Sequence, residues 1–176
     1  VKRCLRYLKG KPTVAWVFAY QSLPSTILYE TDSDWADDEI TRKSTSSIYG
    51  FFGKHLLETC VASQSVVALS SGEAEFYAIG RGAASAIMMR QFYERCGIEV
   101  RAQVNSGSSA ARSIANRIGS GRVRHLQIRD LWVQERAREG ELHLGKVSTD
   151  DNRSDMGTKY FDGRRIEKLM EMSSLR

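Results

Sequence analysis

The chain has 176 residues, enough for one domain with a sizeable core, and its 41% hydrophobic and 27% charged residues exclude a fibrous or low-complexity protein. A formal net charge of +5 is compatible with a polyanionic partner without requiring one. Three scattered cysteines, Cys4, Cys60 and Cys96, form no CxxC pair, which argues against zinc; no stretch reaches the ~20 apolar residues of a membrane span and no secretory signal is seen, so a cytoplasmic or nuclear, non-secreted protein is expected.

The first predicted element is a helix over 1–10. VKRCLRYLKG sets Val1, Leu5 and Leu8 on one side and Lys2, Arg3, Arg6 and Lys9 around the other, and Gly10 and Pro12 stop it. Because the chain opens at Val1 rather than Met, already in mid-element, it reads as a piece of a longer polyprotein or a truncated gene. Segment 13–20 (TVAWVFAY) is apolar and β-prone. Strands are predicted at 27–34 (ILYETDSD), whose end turns acidic, at 46–53 (SSIYGFFG) and at 56–63 (LLETCVAS). The Gly53-Lys54-His55 break suggests consecutive antiparallel strands.

The period then changes. Ser70-Ser71-Gly72-Glu73 is a capping-box pattern, and Ala74, Tyr77, Ala78, Ala84, Met88 and Phe92 recur at helical spacing behind it. This helix is expected to run to about Cys96, with Gly97 as its stop. A short strand (99–104), a helix (108–118), a basic loop (119–125, GSGRVRH), a third helix (126–140) and a strand (141–147) follow, with helical pieces at 152–159 and 162–172. Three leading strands followed by βαβ-type connections give a mixed sheet.

The candidate chemistry lies at element junctions: Asp32 and Asp34 at a strand end, Glu73 and Glu75 in the first turn of the long helix, and Asp155 at the start of a late one. Magnesium takes hard oxygen ligands, and a two-metal nuclease needs carboxylates converging from distant parts of a chain. Acids in a first helical turn are also favoured by the helix dipole alone, and a strand-end Asp can simply be solvated. Residue types by themselves leave both readings open.

YETDSDWADDEITRKSTSSIYGFFG resembles the Y-x-D-A-D-W-A-G…R-R-S-T-S-G-Y-x-x-F-x-G stretch of Ty1/copia-type retrotransposon polyproteins. VALSSGEAEFYAI resembles their V-A-L-S-S-T-E-A-E-Y-x-A, VRHLQIRDLWVQERAREGEL and NRSDMGTK their closing motifs, and VKRCLRYLKG the helix upstream. The resemblance covers nearly the whole chain. It implies the ribonuclease H domain at the C-terminal end of a reverse transcriptase polyprotein: a ribonuclease H-like α/β fold, a five-stranded mixed sheet with helices on both faces, and metal-dependent cleavage of the RNA strand of an RNA–DNA hybrid. The expected division is a connecting segment (1–24) from an upstream, covalently linked reverse transcriptase, the ribonuclease H-like domain (25–160) and a C-terminal helical tail (161–176).

Four acids normally hold two Mg²⁺ ions in that family, with Mn²⁺ an alternative. By motif, three fall on Asp32, Glu75 and Asp155, which are the implied catalytic and metal-binding residues; Asp34 and Glu73 are motif neighbours. The remaining acid belongs in D-S-S-A-A, and the match here is Gly107-Ser108-Ser109-Ala110-Ala111. Gly107 then stands in its place, or Asn105 in an alternative register with a longer junction. Glycine offers no ligand and asparagine no charge, so the two-ion site is expected to be compromised and activity weak or absent. Arg153-Ser154, where Pro-Ala or similar is usual, and Asp37, where Gly is common, suggest a decaying copy.

Among the basic residues, Arg112, Arg122, Arg124 and His125 are the candidate nucleic-acid contacts, because lysine and arginine near a hybrid neutralise phosphates. His125 could equally cap the following helix. Arg136 and Arg138 read as a solvated helix face, Trp35 as packing beneath the site and Trp132 as a mid-helix core residue. Alternatives to a nuclease are a non-catalytic nucleic-acid-binding module and an inactive transposon remnant.

Overall fold

The computed structural model describes residues 2–119 and 131–176, with side chains from residue 5 onward in the first helix. Its elements are α1 (Lys2–Gly10), β1 (Thr26–Asp34), β2 (Thr45–Phe52), β3 (His55–Ser63), α2 (Ser71–Arg95), β4 (Arg101–Ser106), α3 (Ser109–Asn116), α4 (Trp132–Arg138), β5 (Leu142–Lys146), a short 3-10 helix (Arg153–Gly157) and α5 (Gly163–Met172). The five strands form one sheet in the order β3-β2-β1-β4-β5. β1 pairs antiparallel with β2, and β2 with β3, whereas β1–β4 and β4–β5 are parallel. This is the expected mixed sheet.

Alternation along β1 assigns the two faces, since successive side chains point opposite ways. Ile27, Tyr29 and Thr31 meet α2, whose Gly82 comes so close that an added Cβ would lie 2.6 Å from Thr31 Cγ2. Phe76, Ile79, Val104 and Val133 fill this layer. Each buried side chain of that size contributes roughly 1.5–3 kcal/mol. On the opposite face, Glu30 and Asp32 meet the 3-10 helix, where Gly157 abuts Ser47 and Val61. α5 packs against that helix and buries Leu169.

α2 begins as its cap pattern requires. Ser70 Oγ accepts from the Glu73 N–H at 3.2 Å, and Glu73 Oε2 accepts from the Leu69 N–H at 2.8 Å. It ends at Arg95, and Gly97 takes φ +78°, a conformation L side chains rarely adopt. Its buried stripe differs from the expected one. Ala74, Phe76, Ala78, Ile79, Ala83 and Ala86 face inward, while Met88 and Phe92 are more than half exposed and Ala84 is exposed. Small residues face the sheet because the helix lies close upon it.

The structure gives form to the remaining segments. Segment 13–20 forms no strand of the sheet; it makes an isolated bridge, Trp16 to Leu175, and backbone bonds tie Ala15 and Val17 to residues 174–176. The piece at 152–159 is a single 3-10 turn over Arg153–Gly157 rather than an α-helix. The predicted helix at 126–140 is described over Trp132–Arg138, where Trp132 is partly buried against the core; the segment 126–130 lies outside the described residues. Among the described residues, no helix is long and apolar enough to cross a membrane.

Candidate active site

Asp32 stands near the C-terminal end of the central strand β1, almost fully buried. Glu75 sits in the first turns of α2, and Asp155 on the 3-10 helix, 1% exposed. The fold brings all three together, near enough that the charge of Asp32 acts on both Glu75 and Asp155. Asp32 Oδ2 accepts from the Thr158 hydroxyl, and Asp155 Oδ1 accepts from Asn152 Nδ2 at 2.8 Å. Asn152 also donates to Thr31 O at 3.4 Å, which hooks the loop onto β1 beside Asp32.

A lysine stands among these acids. Lys159 Nζ is 3.2 Å from Asp32 Oδ1 and 2.9 Å from Asp155 Oδ2, the latter an ion pair not aligned as a hydrogen bond. Glu75 Oε2 is buried with no hydrogen-bond partner. Burial, then the charge of Asp32, pushes the Glu75 carboxyl up to about 8, with Lys159 partly opposing. Burial and Asp32 likewise push Asp155 up to about 6. Burial works against the Lys159 charge, but Asp155 and Asp32 more than offset it and hold that ammonium above the ordinary lysine range. Three acids facing one ammonium leave an excess of negative charge, which the site relieves by retaining protons.

That arrangement fits a divalent cation in its donors. Two buried carboxylate oxygens, Glu75 Oε2 and Asp155 Oδ2, lack a directed hydrogen bond, and oxygen donors are what Mg²⁺ takes. The acids are not drawn into a finished cage: among the described residues no group of three or more Asp, Glu, His or Cys side chains is already disposed around a common point. Lys159 occupies the space between two of them.

The parallel register bears on the junction after β4. Thr31 pairs with Ser106, with Gly107 the next residue along, whereas Asn105 pairs with Glu30. Asn105 Oδ1 accepts from Gln103 Nε2 at 2.8 Å and lies against Gly145 on β5. Gly107 has ordinary φ, and a Cβ there would meet nothing nearer than Val147 O at 4.0 Å. Space for a side chain exists at Gly107, one residue past the Thr31–Ser106 pair.

Of the candidate nucleic-acid contacts, Arg122, Arg124 and His125 lie outside the described residues. Arg112 donates to the Ser106 carbonyl and so braces the same junction. Arg136 pairs with Glu135, Glu139 and Glu141 on a solvated face, as expected. Trp35 is half exposed, and its indole N–H donates to Ala68 O at 3.0 Å, which clips the loop before α2. Asp34 is raised by burial and by its neighbour Asp37, which marks an acidic flank to the site.

Sequence reasoning missed Lys159, Thr158 and Asn152, although all three stand in the quoted NRSDMGTK. It also missed the buried pair between Glu30 and Arg153, 123 residues apart, which no local pattern could have signalled.

No family model matches the chain. It is similar to the Retrovirus-related Pol polyprotein from transposon TNT 1-94 of Nicotiana tabacum, at 28% identity over 98% of the chain and 13% of the relative. It is similar to that from transposon RE1 of Arabidopsis thaliana, at 28% identity over 90% of the chain and 11% of the relative. The chain thus spans about an eighth of the length of these relatives. Among solved structures, it superimposes on LC11-RNase H1, isolated from compost by a metagenomic approach, with a TM-score of 0.51, 13% identity, and coverage of 83% of this chain and 99% of the other.

Proposed function

From the similarity to retrotransposon Pol polyproteins and the ribonuclease H fold, we propose that the chain is a hybrid-directed ribonuclease H domain of the Ty1/copia type with one metal-binding acid lost, so that it cuts weakly or not at all. The observation that carries the reading is the convergence of Asp32, Glu75 and Asp155, two of whose buried oxygens lack a hydrogen bond, together with the open Gly107 position.

Asp32, Glu75 and Asp155 would hold divalent cations, Mg²⁺ or Mn²⁺, which when bound supply activation of water and neutralisation of charge at a phosphate. The chain's own part is to orient these carboxylates. Thr158 fixes one oxygen of Asp32, and Asn152 fixes one oxygen of Asp155. Glu75 keeps one buried oxygen without a hydrogen bond, where burial and the charge of Asp32 favour its protonated form. At Gly107 a fourth carboxylate is missing, which removes charge and a ligand from the side of the site facing β4. The substrate is an RNA–DNA hybrid, met through its backbone phosphates by basic groups that include Arg122 and Arg124; the domain is linked to a reverse transcriptase upstream in the parent polyprotein.

A second reading, hybrid binding without cleavage, draws on Lys159 standing where a cation would be needed. The test is cleavage and binding of a labelled RNA–DNA hybrid in Mg²⁺ and Mn²⁺, with Asp32→Asn as control. Trace cleavage abolished by Asp32→Asn supports the impaired nuclease. Salt-sensitive binding with no cleavage supports the second reading, and rapid cleavage by the unmodified chain contradicts both.

A further inference from the structure

Arg153 departs from the family pattern at the residue that opens the turn carrying Asp155, and it is one of the most fully engaged side chains in the molecule. Its Nε donates to Glu30 Oε2 at 3.0 Å and its Nη2 to Glu30 Oε1 at 2.6 Å, a two-pronged fork on one carboxylate. Its backbone N–H donates to Glu30 Oε2 as well, at 2.8 Å. Nη1 donates to Met172 O at the end of α5, and the guanidinium lies 3.3 Å over the Phe51 ring. Glu30 is 4% exposed, so this is a buried charge pair with nearly every donor and acceptor used.

Its position gives it consequence. Glu30 precedes Asp32 by two residues on the same face of β1, and Arg153 precedes Asp155 by two on the facing turn. The fork therefore joins the two backbones that carry two of the acids, one step behind each. Among the described residues, the other polar tie from this turn to β1 behind the acids is that of Asn152, its bond to Thr31 O being longer at 3.4 Å. A fork fixes both distance and orientation, which a single bond does not.

Resting on the reading of Asp32, Glu75 and Asp155 as the cation-holding acids, we infer that the Glu30–Arg153 pair is a positioning device that sets Asp155 against Asp32 and thereby the affinity of the acid cluster for a divalent cation. It acts through the two strands of backbone it joins and touches neither substrate nor metal. The departure at Arg153 is thus a built feature of this chain, with Glu30 as its counterpart.

A purely structural pair would show itself through stability alone, so the test separates the two. Mn²⁺ binding is measured at pH 7 by the loss of the free-ion electron paramagnetic resonance signal, and amide hydrogen exchange is followed over 152–159. Arg153→Lys keeps the charge and loses the fork. The double variant Glu30→Leu/Arg153→Met removes both charges and regains apolar packing, which restores stability in buried pairs of this kind. Both variants are expected to bind Mn²⁺ at least about tenfold more weakly, the scale on which supporting contacts act at metal sites. Exchange over 152–159 is expected to quicken while β2 and β4 stay unchanged, and the double variant is expected to recover melting temperature without recovering Mn²⁺ affinity. Affinity that returns together with stability, or that never falls, overturns the inference. If the unmodified chain takes up no Mn²⁺, the metal reading fails instead, and exchange over 152–159 decides the positioning role: unchanged exchange overturns it, quickened exchange supports it.

Discussion

Replacing Glu75 with Gln should stabilise the metal-free protein at high pH and do the opposite in metal. The Glu75 carboxyl rises from 4.5 to about 8 on folding, chiefly through burial and then through the charge of Asp32. The folded state therefore binds a proton that the unfolded state releases above pH 4.5. Stability is lost as pH climbs from about 4.5 to about 8 and stays lost above that. A rise of this size corresponds to roughly 5 kcal/mol, part of it shared with the neighbouring acids, so removing the charge at pH 9 should return roughly 2–4 kcal/mol. For a chain of this length that is about 5–15 °C in melting temperature. Glu75→Gln and the unmodified chain would be melted in EDTA at pH 4, 7 and 9. The curves should coincide near pH 4 and part progressively above it. In saturating Mg²⁺ the order should reverse, because the cation stabilises only the chain that binds it. Equal melting temperatures at pH 9 in EDTA would refute the charge-excess account of the site.

Lys159→Met should strengthen Mn²⁺ binding by about tenfold, since the half-exposed ammonium competes for Asp32 and Asp155 with an energy of roughly 1–2 kcal/mol after solvent screening; calorimetric titration reads it directly, and unchanged affinity would mean the lysine swings away freely. Gly82→Ala places a methyl 2.6 Å from Thr31 Cγ2 and should cost about 1–3 kcal/mol in urea unfolding, with no loss of helix propensity to blame. Asp155→Asn keeps the Asn152 contact and should leave the fold intact while weakening Mn²⁺ uptake by about tenfold or more; wild-type uptake would remove Asp155 from the site.

The strands were legible because each is bounded by turn residues and carries β-branched or aromatic side chains, as ILYETDSD does before its acidic end. The start and stop of α2 were legible for the same local reason, at Ser70 and Gly97. What failed depended on distance in space. TVAWVFAY has the composition of a strand, but the chain's own C-terminal residues supply its partner, and only an isolated bridge results. Met88 and Phe92 fit the helical period yet face outward, because closeness to the sheet selects alanine and glycine for the inner stripe. At the site, Asp32, Glu75 and Asp155 could be named by motif, but not that a lysine from the same closing motif would stand between two of them. Of the two registers at 104–112, the sequence favours Gly107, because Ser-Ser-Ala-Ala follows it without an insertion; the pairing of Thr31 with Ser106 puts Gly107 one residue past the end of the parallel ladder. The Glu30–Arg153 fork joins residues 123 positions apart and left no trace in either segment.

The proposed ribonuclease H domain lacks one acid, at Gly107. The direct measurement is cleavage of a labelled RNA–DNA hybrid in Mg²⁺ by the unmodified chain and by Gly107→Asp, whose new side chain has open space. Gly107→Asp is expected to cut the RNA strand at least about a hundredfold faster, a barrier lower by roughly 2.7 kcal/mol. Equal rates, or faster cleavage by the unmodified chain, would contradict it.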